Sequence, residues 1–273
     1  MKPKYIGVAS QKLLSYFNQR NQLWFKTAEA IDALPTSSES AVLELVTDMA
    51  KRGLLMRIKK GVYYVIPYEA DATTFMPDWH LIAGSLVGDA TYYIGYYSAL
   101  QIHNLITQPS LKEQIVVSKQ VRPSLIKIKK IPFQFIYHNP NHFFGFSETW
   151  IDSFNKVPCS DLEKTFIDCL FKPEYAGGIV EIAKAVFQSR EKIKYDRLFS
   201  YAVQFKSQAV IKRLGFILEL VGIQHPIISN LQKIRTASYV LLDTQLPNTG
   251  KLISKWSIRQ NLESETITSA LTT

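Results

Sequence analysis

The spacing of apolar residues defines a helix near the middle of the first seventy positions. Val42, Leu45, Val46 and Met49 recur at i, i+3, i+4 and i+7, which is the spacing of one buried helical face. A T-x-x-E capping box begins at Thr36, and a glycine follows the last turn. A helix is therefore predicted between these two signals.

Shorter patterns on both sides of this helix complete a small domain. An apolar stripe predicts a helix over Gln11–Gln19, and Thr27 stands where it would cap a second helix that ends before Pro35. Two later strand-like runs meet at a Lys-Lys-Gly turn, where Gly61 suits the positive φ of a tight hairpin. The order helix, strand, helix, helix, hairpin predicts a winged helix-turn-helix over residues 1–69. The predicted strands are Leu23–Phe25, Leu54–Ile58 and Val62–Ile66.

The remainder of the chain predicts a larger domain at residues 78–273, after an irregular connection at residues 68–79. Strand-like runs come first, and helical periodicity dominates after a second capping box, Ser160 to Glu163. The predicted fold class is therefore α+β, an N-terminal winged helix-turn-helix plus a larger mixed α/β C-terminal domain. Its predicted strands are Tyr92–Ile94, Gln114–Ser118, Leu125–Ile128, Phe133–His138, Phe144–Trp150, Tyr239–Leu242 and Lys255–Ile258.

Composition narrows the choice of partners. The chain has 273 residues with 32 Lys and Arg against 23 Asp and Glu, a net charge of +9, which favours an anionic partner such as nucleic acid. Two cysteines do not make a disulfide framework, so cytoplasmic thiols are expected. No apolar run is long enough for a membrane span, and the N-terminus lacks the pattern of a signal peptide, so no membrane partner is expected.

Charge and small polar side chains indicate where the first domain would contact double-stranded DNA. The third helix of a helix-turn-helix enters the major groove, and its first turns lie nearest the bases. Its outward positions include Glu44, which would oppose phosphate or accept from a cytosine amino group. The hairpin turn carries three cations within four residues, which suits phosphate or minor-groove contact. The candidate DNA-binding residues are Lys26, Thr27, Ser37, Ser38, Ser40, Lys51, Arg52, Arg57, Lys59 and Lys60.

A second basic stretch has two interpretations. No acidic residue occurs between Gln114 and Ser147, and the segment predicts either a further nucleic-acid surface or a half-buried strand with solvated lysines. Its cations are Lys119, Arg122, Lys127, Lys129 and Lys130.

Motifs for catalysis are absent from the sequence. The pair His138 and His142 lies in an Asn/Pro loop without further ligands, and no phosphate-binding glycine loop or nucleophile elbow occurs. No catalytic residue, metal or cofactor is therefore expected.

Four segments of the second domain carry a resemblance. They are YIGYYSALQIHNL from Tyr93, EKTFIDCL from Glu163, RLGFILE from Arg213 and KWSIRQN from Lys255. In this order and spacing they resemble the AbiEi antitoxin family of type IV toxin–antitoxin (abortive infection) systems. The hairpin at Leu54 to Tyr64 is similar to the wing of that family, whereas the serine-rich third helix departs from it.

The resemblance implies a phage-defence antitoxin with two functions. The winged helix would bind inverted repeats in its own promoter as an autorepressor, and the C-terminal domain would counteract a nucleotidyltransferase-like toxin. The motif positions that the resemblance offers for the second function are Ser98, His103, Lys164, Asp168, Arg213 and Arg259.

Two other interpretations remain at this stage. One is a stand-alone winged-helix transcriptional regulator whose C-terminal domain senses a small ligand. The other is an enzyme that processes nucleic acid and is targeted by its winged helix. A neighbouring nucleotidyltransferase gene would favour the antitoxin, and a deep apolar pocket with a few polar groups would favour the ligand sensor.

Overall fold

A computed structural model describes residues 4–106 and 108–272 of the chain. Its contacts divide the chain after Asp89 into an N-terminal unit and a C-terminal unit, and the protein is mixed α+β as predicted. The division differs from the predicted domains, which placed residues 68–79 in a connection and began the second domain at residue 78. The helix at Trp79–Leu86 packs against strands of the N-terminal unit, which explains why residues 78–89 belong to that unit.

The N-terminal unit combines four helices with a three-stranded antiparallel sheet. The strand order is β1-β3-β2, so the second strand of the hairpin lies in the centre. Phe17 and Phe25 stack at 4.2 Å between ring centroids, and the buried face of the third helix packs into the same core. The elements are α1 (Val8–Asn18), β1 (Trp24–Lys26), α2 (Thr27–Ala33), α3 (Glu39–Lys51), β2 (Leu55–Lys59), β3 (Val62–Val65) and α4 (Trp79–Leu86).

The C-terminal unit contains a six-stranded mixed sheet with the order β6-β7-β5-β4-β9-β8. The pairs β5–β7 and β4–β9 are parallel, and the other neighbours are antiparallel. Strand β5 is buried at every position because it lies inside the sheet. The strands are β4 (Tyr92–Ile94), β5 (Glu113–Val117), β6 (Leu125–Ile128), β7 (Ile131–Tyr137), β8 (Phe146–Trp150) and β9 (Lys156–Ser160).

Helices and a small second sheet complete this unit. Helix α6 is central: its middle turns are buried on all sides, and it contributes to the largest hydrophobic cluster. The helices are α5 (Tyr96–Ile102), α6 (Leu162–Phe171), α7 (Ile179–Ser189), α8 (Tyr195–Phe205), α9 (Gln208–Leu220), α10 (Ile227–Ile234) and α11 (Ser264–Ser269). The small sheet has the order β10-β12-β11, formed by β10 (Val240–Leu241), β11 (Lys251–Ile253) and β12 (Ile258–Gln260).

Two local predictions in the C-terminal unit are wrong, and one strand was missed. Ser160 does not open α6, because it ends β9; Asp161 caps the helix by accepting a hydrogen bond from the Lys164 N–H at 2.8 Å. Residues 254–257 form a turn, so the predicted strand at Lys255–Ile258 begins only at Ile258. Strand β9 was not predicted, because Pro158 interrupts a short pattern of alternating burial.

Among residues 4–106 and 108–272, none of the helices has both the length and the apolar character needed to span a membrane.

Candidate nucleic-acid interface

Helix α3 begins two residues later than the sequence predicted. Ser38, and not Thr36, is its N-cap, and the Ser38 hydroxyl accepts a hydrogen bond from the Ala41 N–H at 3.3 Å. The same hydroxyl lies 3.1 Å from that of Ser40, so two small polar side chains meet at the start of the helix. Free N–H groups at this end of a 13-residue helix attract anions.

The outward face of α3 is polar and has both signs of charge. Burial of Val42, Val46 and Met49 leaves Ser40, Glu44, Thr47 and Lys51 exposed, and Leu45 is half-buried. Thr47 donates its hydroxyl hydrogen to the Leu43 carbonyl at 2.8 Å, so its oxygen remains available as an acceptor. Ser37, Glu44 and Asp48 line a groove between α1 and α3. Two acidic side chains therefore line this groove, and one of them, Asp48, forms an ion pair with Arg52.

The β2–β3 hairpin carries two exposed cations. A bulge shifts the strand register between Arg57 and Lys59, and Gly61 adopts a φ of +72°, as the turn requires. Arg57 and Lys60 are both exposed. Within the described part of the chain neither side chain forms an ion pair or a hydrogen bond, so both remain available to an anionic partner.

Two further predicted cations lie beside this turn with less freedom. Lys26 and Lys59 flank Val62 in adjacent strands, and the Lys26 ammonium lies 3.8 Å from the carboxylate of Asp89. The Lys59 ammonium donates to the Leu86 carbonyl at 3.1 Å. Burial and the charge of Lys26 lower the pKa of Lys59. Lys59 therefore anchors α4 as well as carrying charge.

Arg52 and Thr27 have internal roles in the structure. The Arg52 guanidinium contacts the Asp48 carboxylate at 2.8 Å and donates to the Tyr5 carbonyl and the Ser10 hydroxyl, which ties α1 to α3. Thr27 is the first residue of α2, and Lys26 occupies the cap position that the sequence assigned to Thr27. The Glu29 carboxylate accepts from the Lys26 N–H at 2.6 Å and so completes that helix start.

The second basic surface lies along one edge of the six-stranded sheet. Strand β6 is an edge strand, and its predicted range Leu125–Ile128 is confirmed. The five cations occupy the preceding loop, this strand and the following turn, and all are exposed: Lys119, Arg122, Lys127, Lys129 and Lys130.

The motif residues Lys164 and Asp168 form a buried ion pair inside the C-terminal unit. Both side chains have no solvent exposure, and the Lys164 ammonium contacts the Asp168 carboxylate directly. That ammonium also donates to the Tyr93 hydroxyl at 2.9 Å and lies 5.1 Å from the ring centroids of Phe144 and Phe205. Burial raises the pKa of Asp168 and lowers that of Lys164, while each is opposed by its partner.

Tyr93, His138 and Tyr96 extend this pair into a hydrogen-bonded chain. The Tyr93 hydroxyl donates to Asp168 at 2.9 Å and lies 3.3 Å from Nδ1 of His138, whose Nε2 lies 2.8 Å from the Tyr96 hydroxyl. A neutral imidazole with its proton on Nδ1 satisfies all these contacts. Burial and the charge of Lys164 lower the pKa of His138 to about 2. Sequence reasoning missed this chain, because Tyr93 and Lys164 are 71 positions apart.

The other motif residues also make structural contacts in this unit. Ser98 accepts from the Gln114 N–H at 2.9 Å, and Nε2 of His103 lies 2.8 Å from the Ser160 carbonyl. Burial lowers the pKa of His103. The Arg213 guanidinium donates to backbone carbonyls at the end of α6 and in β10. Arg259 is half-buried on β12.

Comparison with known proteins yields a fold and no family. No protein-family model matches the chain, and no curated protein matches its sequence. The fold is similar to the crystal structure of the RV2827C protein from Mycobacterium tuberculosis, with a TM-score of 0.72 and 11% sequence identity. The match covers 98% of this chain and 95% of that one. At this identity, the chain shares a fold with that protein, and its function has to be argued from its own residues.

Proposed function

We propose that the N-terminal unit is a winged helix-turn-helix that binds double-stranded DNA. The observation that carries the proposal is the pair of exposed cations, Arg57 and Lys60, at the turn of a hairpin that follows α3. The same compact unit presents a helix whose first turn is rich in serine hydroxyls. The order of helices and strands is that of winged-helix DNA-binding domains.

The hairpin and helix α3 would have different roles in DNA recognition. Cations on a hairpin bind phosphates whatever the sequence, so the wing would supply general affinity. Ser37, Ser38 and Ser40 are small enough to approach bases or phosphates at the N-terminal end of α3. Lys51 would add affinity at the other end. Arg52 would act indirectly, by holding α1 against α3.

We further propose that the chain is a type IV antitoxin that represses its own promoter and counteracts a nucleotidyltransferase-like toxin. Support comes from the motif resemblance and from the placement of the motif residues. Three of them, Lys164, Asp168 and Arg213, contact the central helix α6 or belong to it, and His103 lies beside its start. These contacts indicate that the motifs maintain the C-terminal fold that would carry antitoxicity.

A mobility-shift assay on the DNA upstream of the gene tests the first proposal. The double variant Arg57→Ala/Lys60→Ala should weaken binding about 10- to 100-fold at moderate salt, because two phosphate contacts are lost. The matched control is Lys192→Ala/Lys194→Ala, which removes two exposed cations from the C-terminal unit. Equal binding by the wing variant and the wild type would refute a DNA-binding wing.

Coexpression tests the antitoxin proposal separately. The full chain should restore growth to cells that express the nucleotidyltransferase encoded beside its gene, and the wing variant should restore growth equally well. The absence of such a neighbouring gene, or growth arrest despite expression of the folded chain, would contradict the antitoxin proposal while leaving DNA binding intact.

A further inference from the structure

A cationic cluster in the C-terminal unit lacks a compensating acid. Lys212 on α9 is fully buried, and the loop after α10 places Arg235 close enough for its charge to lower the pKa of Lys212, after the larger effect of burial. No ion pair involves either side chain among residues 4–106 and 108–272. The one acid of α9, Glu219, is occupied by Lys255 and Trp256. Lys212 is buried and Arg235 is half-buried, and two neighbouring cations of this kind without a counter-charge favour a bound anion.

Hydroxyl groups surround these cations. The Lys212 ammonium donates to the hydroxyls of Thr236 and Ser238 at 3.1 and 3.2 Å and to the Ser238 carbonyl. Those two hydroxyls lie 3.1 Å apart, so one hydrogen bridges them and the other remains available. Arg235 donates through Nη1 to the Ser257 hydroxyl at 3.1 Å, which leaves the hydrogen of Ser257 available as well.

The Arg235 guanidinium has an unused donor at this place. Its Nε is enclosed and has no hydrogen-bond partner among the described residues. A buried N–H without an acceptor destabilises a folded protein, so its presence points to an acceptor that binds from outside the chain. An anion with several oxygens would accept from Nε of Arg235 and from the free hydroxyl hydrogens at once.

We propose that Lys212, Arg235, Thr236, Ser238 and Ser257 form a binding site for the phosphate group of a small phosphate monoester. The cluster is compact, since it is drawn from one helix, one loop and one turn, and Lys212 lies wholly inside it. One phosphate would fit against so compact a cluster, and it could enter from solvent because Thr236 and Ser238 are exposed. A nucleic-acid backbone requires cations spread along an open surface, as on the β6 edge.

Titration calorimetry of the full chain with inorganic phosphate and with adenosine monophosphate tests the proposal. Both should bind. Arg235→Gln should weaken binding about tenfold through loss of a charge-assisted hydrogen bond, and Lys212→Met should weaken it by a similar factor through loss of a nearby charge. Ser257→Ala should weaken it about threefold through loss of one neutral hydrogen bond. The matched control Lys233→Gln removes an exposed cation from the last turn of α10 and should leave affinity unchanged.

Two results would overturn the site. One is no binding of either probe by the folded wild type at about 10 mM, well above the concentrations at which specific sites fill. The other is binding that the folded Arg235→Gln and Ser257→Ala variants retain in full; circular dichroism and melting without phosphate confirm that they fold. Weakened binding of short duplex DNA in these variants, with both small probes inert, would reject the monoester in favour of a backbone contact.

Discussion

Two pairs of charged side chains, one in each unit, have opposite surroundings. In the N-terminal unit Arg57 and Lys60 stand in solvent at a hairpin turn, whereas in the C-terminal unit Lys164 and Asp168 have no exposure and are tied to Tyr93. Exposed charges cost little to keep and remain available to a partner. Buried charges are expensive unless each is satisfied, so they constrain the fold around them. The same residue types therefore point to binding at the hairpin turn and to structure at the Lys164–Asp168 pair.

The largest effect should come from breaking the buried pair on one side. Asp168→Ala leaves the Lys164 ammonium buried without a counter-charge, so the free energy of unfolding should fall by ~3–5 kcal/mol. Urea unfolding of the full chain measures the change. The double variant Lys164→Met/Asp168→Leu removes both charges and should lie much closer to the wild type. A loss below about 1 kcal/mol in Asp168→Ala would show that the pair does not constrain the fold.

The pH dependence of stability also tests the buried charged and polar groups of the C-terminal unit. His138 has a pKa of about 2 in the folded chain against 6.5 for a free side chain, so only the unfolded chain gains its proton as the pH falls below 6.5. Its contribution to stability is complete above pH 6.5 and should be lost at about 1.4 kcal/mol per pH unit below it.

Unfolding of the wild type and of one variant at pH 6.5 and 5.0 checks this slope. His138→Gln should show a shallower pH dependence than the wild type. His103, whose pKa burial also lowers, is present in both proteins and cancels from the comparison. An unchanged slope in His138→Gln would contradict a neutral buried imidazole.

The salt dependence of DNA binding tests the exposed cations Arg57 and Lys60. In Arg57→Ala/Lys60→Ala the slope of log affinity for duplex DNA against log salt should become shallower by about 2, since each phosphate contact contributes about 0.9. The free energy of unfolding should change by less than about 0.5 kcal/mol, because both side chains are exposed. Loss of stability together with affinity would show that the two cations support the fold as well.

The smallest effect is expected at Glu44 on the outward face of α3. Glu44→Gln removes a negative charge that would lie near phosphates, so affinity for random duplex DNA should rise about two- to fivefold at low salt. Fluorescence anisotropy with random and upstream DNA measures it. A loss of affinity confined to upstream DNA would instead show that the carboxylate reads a base.

Local signals were sufficient for the core of the third helix and for the hairpin of the N-terminal unit. The periodicity of α3 and the Lys-Lys-Gly turn predicted a helix and a hairpin that the structure contains. The helix starts were placed less well, because Ser, Thr and Lys compete for the same cap within one turn and packing selects among them. Strand β9 escaped prediction because Pro158 interrupts its short pattern; its pairing with β8 is local, whereas its partner in β4 lies far earlier in the chain.

The sequence by itself determined the α+β class and the order of elements from α1 to β3, because each depends on residues close together in the chain. Only the tertiary structure decided which charges are free and which are enclosed. Arg52 forms hydrogen bonds that hold α1 against α3, and Lys164 donates to Tyr93, 71 positions earlier in the chain. Lys212 on α9 and Arg235 after α10 lie close together with hydroxyl groups from two further segments. Burial and pairing are properties of contacts distant in sequence, and no local pattern contains them.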